Sequence, residues 1–365
     1  MQDSTTAVTL RQAYNAIMTL IRINRPMMIW GGPGIGKSDL VNSLAKDPKL
    51  GRCKVIDVRL ALWDPTDLKG MPYYDPDTKT MAWAAPNELP TVFDGENYDN
   101  IILFLDELPG ATPMVQSAAY QLVLNRRVGT YVLPDNVRII AAGNRETDKG
   151  VTFKMPSPLA NRFVHLEVKV DFDSWLDWAA FARIHPDIIG YLNANKKDLY
   201  EFDPKSASRA WASPRTWEYA SDILYADTDL STTNILLNGT LGEGITLKFV
   251  AERENNISLP NARDVLTGKI TELDTDSISA KFNMTANLCY ELRELNDNED
   301  INKDEWFVYA DNFFKFMMKN FEPEMNVMGA QFALNTYKLP FNPTKITSFV
   351  EFHKRYGKFI MAATA

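Results

Sequence analysis

Apolar residues recur at Leu10, Ala13, Ile17, Leu20 and Ile21, a spacing that predicts a helix between Val8 and Ile23. Pro26 ends that stripe and opens a short apolar strand, Met27–Trp30. Cys53–Leu60 is the next strand-like run, and its Lys54, Asp57 and Arg59 predict a place nearer the sheet edge than the centre. Ile101–Leu105 is apolar throughout, as expected of a strand covered on both faces of a parallel sheet. Val137–Ala142 reads the same way and ends at Gly143-Asn144, whereas Phe163–Val170 alternates as a one-sided strand. Helical patterns follow at Asp39–Ala45 and Ala111–Asn125. Five strands with intervening helices predict a doubly wound α/β domain over about the first 170 residues.

Two stretches interrupt that alternation. Leu62 to Phe93 is longer than an ordinary connection, and Tyr73-Tyr74 and Met81–Trp83 bracket the turn Asp75-Pro76-Asp77, which predicts a β-hairpin carrying exposed aromatics. Pro86 to Phe93 has room for a short helix. Arg126–Pro134 reads as a second small hairpin turning at Gly129. Beyond Asp171 the pattern turns helical, with segments at Asp171–Ile184, Pro214–Leu224, Gly242–Glu254, Thr275–Leu295, Asp304–Asn320 and Thr344–Ala362. Asn296–Asp300 is an acidic break, a loop or the start of a C-terminal extension. Met and Phe residues from Phe313 to Phe332 stand at helical spacing, favouring core over a binding surface.

Chemistry enters immediately after the first strand. Gly31-Gly32-Pro33-Gly34-Ile35-Gly36-Lys37-Ser38 fits the G-x-x-x-x-G-K-[ST] pattern of a phosphate-binding loop, and Asp39 opens the helix behind it. The glycines let the backbone curl until several N–H groups point into one concavity, to which the helix N-terminus adds positive dipole. Lys37 supplies a point charge for β- and γ-phosphates, and the Ser38 hydroxyl a ligand for Mg2+. Asp106-Glu107, at the end of the apolar Ile101–Leu105 run, completes a nucleotide site: Asp106 to hold magnesium, Glu107 to polarise an attacking water. Asn144 ends the next strand and is open to two readings, an amide that orients water or a turn-forming residue.

Bulk composition narrows the picture less. The 365 residues suffice for two or three domains, and 39 Lys and Arg against 47 Asp and Glu leave a net charge of −8, which argues against a general nucleic-acid surface. Two distant cysteines, Cys53 and Cys289, match no metal spacing and suit a reduced, cytoplasmic setting. His165, His185 and His353 form no ligand cluster and read as structural or solvated. Neither a membrane-length apolar run nor an N-terminal signal pattern is expected.

In their order, these parts resemble AAA+ ATPases, and within them the MoxR-type branch of the helix-2-insert group. The pieces that carry the resemblance are Gly31–Ser38 (Walker A), Ile101–Glu107 (Walker B), Ala141–Asn144 (sensor 1), Pro158–Phe163 (arginine finger) and Ser213-Pro214-Arg215 (sensor 2). Asp64–Pro72 is similar to the segment leading into that branch's insert, and Arg126–Pro134 to its pre-sensor hairpin. The likeness runs from about residue 10 to 225. It implies a P-loop NTPase core with a five-stranded parallel sheet over 1–170 (insert about 62–93, hairpin about 126–134), an all-helical lid over 171–295, and a helical C-terminal extension over 296–365. It further implies ATP and Mg2+ as cofactors and a homo-oligomeric ring, usually of six subunits. Arg162 would then act on the neighbour's γ-phosphate and Arg215 on its own, or pair with Glu218 instead.

Two departures stand out: Arg145 where the family commonly has Pro after the sensor Asn, and Ala160-Asn161 in place of an acidic residue before the finger. Inserts of this branch project toward the ring pore, so Tyr73, Tyr74 and Trp83 either grip a client or pack on their own hairpin, and Arg126 and Arg127 suit a subunit interface. The function implied is a chaperone-like ATPase that remodels a partner protein, one with a von Willebrand A-type domain being the kind such proteins often serve. A nucleic-acid-dependent motor and a nucleotide-gated scaffold are the alternatives.

Overall fold

The computed structural model describes residues 7–148, 153–226, 228–256, 259–275 and 277–362. The terminal positions of the 1–170 and 296–365 divisions, and residues 149–152, lie outside the described residues. Two units are formed, Met1–Asp171 with Phe202–Ser206, and Phe172–Glu201 with Ala207–Ala365.

In the first unit, hydrophobicity sorts the strands. The chain runs α1 (Leu10–Arg22), β1 (Met27–Trp30), α2 (Lys37–Leu44), β2 (Cys53–Arg59), α3 (Pro65–Lys69), β3 (Met71–Asp75), β4 (Thr80–Ala84), α4 (Val92–Asn97) and β5 (Asn100–Asp106). It continues through α5 (Pro113–Asn125), β6 (Arg127–Val128), β7 (Tyr131–Val132), β8 (Val137–Gly143), α6 (Ser157–Ala160) and β9 (Val164–Glu167). The main sheet has the order β2-β5-β8-β1-β9, and every pair in it is parallel. Ile101 to Leu105 of β5 are all buried, while the charge-bearing β2 takes one edge, as its composition predicts. The alternating β9 takes the other edge, and is shorter than the expected Phe163–Val170. Past Glu167 the chain leaves the ladder to meet the N-terminal segment, where Val8 bridges Val168. The sheet order reverses around β1, which opens a crevice at the carboxyl ends of β1 and β8.

Helix α1 buries Ala13, Ile17 and Ile21, and its start is a capping box in which Thr9 and Gln12 satisfy each other's backbone N–H. The two hairpins form as expected, β3 pairing β4 and β6 pairing β7, both antiparallel. The short helix expected within Pro86–Phe93 instead begins at Val92. Thr91 and Asp94 make a second capping box there, which sets the start after Pro90.

The second unit is helical: α7 (Phe172–Phe181), α8 (Pro186–Ala194), α9 (Pro214–Tyr225), α10 (Leu230–Leu241), α11 (Glu243–Asn256), α12 (Ala262–Leu266), α13 (Ile278–Asp297), α14 (Lys303–Asn320), α15 (Pro323–Gln331) and α16 (Thr347–Ala362). Where the pattern predicts one helix over Asp171–Ile184, the first stops at Phe181. Arg183 adopts a left-handed backbone, φ 56°, and Pro186 opens the next helix. Helices α8, α10 and α12 have no counterpart in the sequence reading, whereas α15 falls within the Phe313–Phe332 stretch read as helical in spacing. One apolar core, running from Ala180 to Phe352, lies on both sides of the acidic break. Phe313, Phe314, Phe316, Met317, Phe321 and Met325 are buried in it, so the Met and Phe stretch is core.

Candidate functional site

The loop after β1 needs glycine for two separate reasons. Gly34 and Gly36 adopt φ of 75° and 90°, a region costly for residues with a Cβ. Gly31 has ordinary dihedrals, but a Cβ there would stand 2.4 Å from the Ile35 side chain and 3.0 Å from the Val168 carbonyl. Gly36 then caps α2 with no side chain of its own, so the first-turn N–H groups of Lys37, Ser38 and Asp39 keep their donors for a ligand. Pro33 and Ile35 complete the curl, Ile35 buried beneath it and Pro33 half-buried.

Around this loop three strand ends converge. The Lys37 ammonium donates to the carbonyls of Gly31 at 2.7 Å and Gly32 at 2.9 Å, and to Asn144 Oδ1 at 3.0 Å. Asn144, just past β8, thus turns its side chain to the loop. The Ser38 hydroxyl donates to Asp106 Oδ2 at 3.1 Å. The backbone also closes on the loop, with Gly31 N–H donating to the Gly143 carbonyl at 3.3 Å. Gly143 in turn leaves space for Pro109, whose Cδ would lie 2.3 Å from a Cβ there.

Glu107 is exposed and held at φ 55°, ψ 30°, an uncommon conformation for a residue with a side chain. Its N–H donates to Asp106 Oδ1 at 2.9 Å, which fixes the carboxylate that also meets Ser38. On the neighbouring β2, Asp57 and Arg59 stand in register with Phe104 and Asp106. Partial burial, with the Asp106 charge second, holds the Asp57 carboxyl above its usual range, and Arg59 opposes both. No group of three or more His, Cys, Asp or Glu forms a metal cluster among the described residues. The hydroxyl and carboxylate of Ser38 and Asp106 are nonetheless hard oxygen donors suited to Mg2+.

Arg162 lies in the turn between α6 and β9, exposed and with no side-chain partner among the described residues. Arg145, which follows Asn144, is engaged: its guanidinium donates to Asp148 and, at 3.1 Å, to Glu167 on β9. Arg215 is in the other unit, exposed at the second position of α9, behind Ser213 and Pro214, where Ser213 and Thr216 make the capping box. Of the hairpin aromatics, Tyr73 and Tyr74 are exposed and Trp83 is half-buried.

Trp30, read as the end of the first strand, and His165, read as structural or solvated, make a contact that the sequence did not indicate. Trp30 ends β1, and its indole N–H donates to His165 Nδ1 at 2.8 Å. No spacing pattern joins residues that far apart in the chain; the only sequence hint is an indole directly before a phosphate loop.

No family model matches the chain. It is 28% identical over 195 residues to midasin of Giardia intestinalis, half of this chain and 4% of that much longer protein. Among solved structures it is similar to NtrX from Brucella abortus in complex with ATP, with a TM-score of 0.39 and 16% identity over 80% of this chain and 64% of the other. It is likewise similar to Thermotoga maritima RuvB, with a TM-score of 0.35 and 15% identity over 70% of this chain and 73% of that one. Scores this low leave the fold to rest on the strand order and the loop geometry. That strand order and the loop geometry give the first unit the P-loop fold of AAA+ proteins, and over half of its length the chain is similar in sequence to midasin.

Proposed function

We propose that this chain is a ring-forming, Mg2+-dependent ATPase that couples ATP hydrolysis to remodelling or activating a partner protein, in the manner of MoxR-like chaperones. The observation that carries the reading is the convergence of Lys37, Ser38, Asp106 and Asn144 at one loop, beside a Glu107 held by its backbone and an Arg162 left exposed.

Gly31–Gly36 and the first turn of α2, Asp39 included, bind the phosphates through backbone N–H groups, and Lys37 adds its charge. Ser38 and Asp106 would hold Mg2+, which when bound neutralises charge on the phosphate oxygens. Glu107 accepts the proton of the attacking water, and Asn144 orients that water with its amide. Arg162 stabilises the charge developing in the adjacent copy's site, so each site is complete only at a subunit interface. Arg215 is assigned to the phosphates of its own chain on the resemblance alone. In this reading the lid is 171–295, the extension 296–365, the ring is a hexamer and the setting is the cytoplasm. Tyr73, Tyr74 and Trp83 serve the client, for which a von Willebrand A-type domain is the proposed class.

Complementation between two inactive variants tests the reading. Lys37→Ala should lose saturable ATP uptake, and Arg162→Ala should bind ATP yet turn over at least about 100-fold more slowly. Mixing them should restore hydrolysis, because the first supplies the arginine and the second the loaded site. Inert mixtures would refute the interface site. Strong stimulation by added polynucleotide would favour a nucleic-acid motor instead.

A further inference from the structure

We propose that His165 is a positioning residue, tying the turn that carries Arg162 to the strand that delivers the phosphate loop of the same chain. This deepens the reading above and rests on Arg162 acting in the neighbouring site.

The hydrogen-bond chemistry is determined by the partners. An indole N–H only donates, so His165 Nδ1, 2.8 Å from Trp30 Nε1, is an acceptor. A carbonyl only accepts, so His165 Nε2, 2.9 Å from the Ala160 oxygen, carries the hydrogen. The neutral ring therefore reads from Trp30 through His165 to Ala160, donor to acceptor at each step. The two rings lie nearly parallel, 17° between planes with centroids 6.0 Å apart, which fixes the imidazole against the indole. Ala160 O also accepts the Phe163 N–H at 3.1 Å, closing the turn in which Arg162 sits.

This bridge reaches what the sheet does not. The ladder between β1 and β9 starts at the pair Met27 and Val164, so residues 160–163 lie outside it. His165 is exposed, and no core demand explains its two directed bonds. Only one residue boundary separates Trp30 from the loop, and one residue separates Ala160 from Arg162. A second tie runs from the other side of the nucleotide site: Arg145, next to Asn144, bonds Glu167, which pairs with Trp30 in the sheet. Both ends of β9 are thus joined to residues adjoining the loop and the sensor. The bridge thereby fixes the position of the Arg162 turn relative to the strand that leads into the phosphate loop, and the effect of Arg162 is felt in the next subunit.

The test places the defect in the neighbour. Arg162→Ala chains hydrolyse only where another chain lends its arginine, and Lys37→Ala chains lend it without hydrolysing. Their mixture sets a reference rate. Replacing the lender by Lys37→Ala carrying His165→Phe, which keeps a stacked ring but neither bond, should lower that rate about five-fold or more. The same lender carrying His165→Gln should restore it, since a carboxamide can accept from Trp30 and donate to Ala160. Trp30→Phe in the lender should act like His165→Phe, and it serves where the histidine variant fails to fold, as judged by its thermal melt. Equal rates with His165 and His165→Phe lenders would overturn the positioning role while leaving Arg162 as the finger. A reference mixture without activity, beside an active wild type, would overturn both. A merely structural bond would weaken melting without this transfer of the defect to the partner's site.

Discussion

Glu107, proposed as the base, is held in an uncommon backbone conformation. Its left-handed conformation costs about 1 kcal/mol or more in a residue with a side chain, and its N–H meets the preceding Asp106 carboxylate. Glu107→Gln keeps that backbone bond and removes only the base. It should hold ATP normally and turn over at least about 100-fold more slowly, measured as single-turnover hydrolysis against equilibrium binding. Asp94 offers a test of stability alone. Its hydrogen bonds from Lys54 at 2.6 Å and from Thr91 hold the carboxyl at about 2, below its ordinary 3.8. A carboxyl with a lowered folded value binds protons less readily folded than unfolded. It therefore stabilises the fold above pH 4, and that contribution is lost as pH falls from about 4 toward about 2. Asp94→Asn should cost about 2 kcal/mol at pH 7 and flatten that acid limb in denaturation curves.

At the scale of elements, close approach decides which residues are irreplaceable. Helices α8 and α13 pass so near each other that a Cβ at Gly190 would stand 1.2 Å from Asn283 Oδ1 and 3.1 Å from its Cα. Asn283 is nearly fully buried and has nowhere to retreat without opening the core. Gly190→Ala should destabilise the chain by about 3 kcal/mol in chemical denaturation, against less than about 0.5 kcal/mol for Gly239→Ala, whose Cβ meets nothing. The β3–β4 hairpin is the opposite case. Met71, Tyr74 and Met81 are each more than 60% exposed, so the fold draws little from them. Tyr74→Ser should leave the melting temperature nearly unchanged, and a large loss would mean the ring packs on its own hairpin.

For the whole molecule, the reading requires a site completed by a second copy. Arg162 has no side-chain partner among the described residues of its own chain, and its turn is tied back toward the phosphate loop. ATP with Mg2+ should drive assembly visible by sedimentation, and chelation with EDTA should abolish turnover until Mg2+ is restored. Among the described residues, no helix is long and apolar enough to cross a membrane.

Local chemistry made much of this legible before folding. The apolar run of β5, the charged edge strand β2, the phosphate loop and both hairpins each announce themselves within about ten residues, because propensity and burial pattern act over that range. One helix that went unread, α10, is weakly patterned. In α10, Leu230, Ile235 and Leu236 are exposed apolar residues, so composition blurs the buried face instead of marking it. Helix α8 was hidden because its start depends on the left-handed Arg183 before it.

Sequence alone thus determined where a phosphate-loop motif stands and which strand and helix flank it, since such a motif is a property of consecutive residues. Only the tertiary structure decided which distant residues meet: Asn144 with Lys37 and His165 with Trp30 in the first unit, Asn283 against Gly190 in the second. Those partners are separated by tens to more than a hundred positions. What brings them together is the packing of whole strands and helices, which no local pattern of side chains encodes.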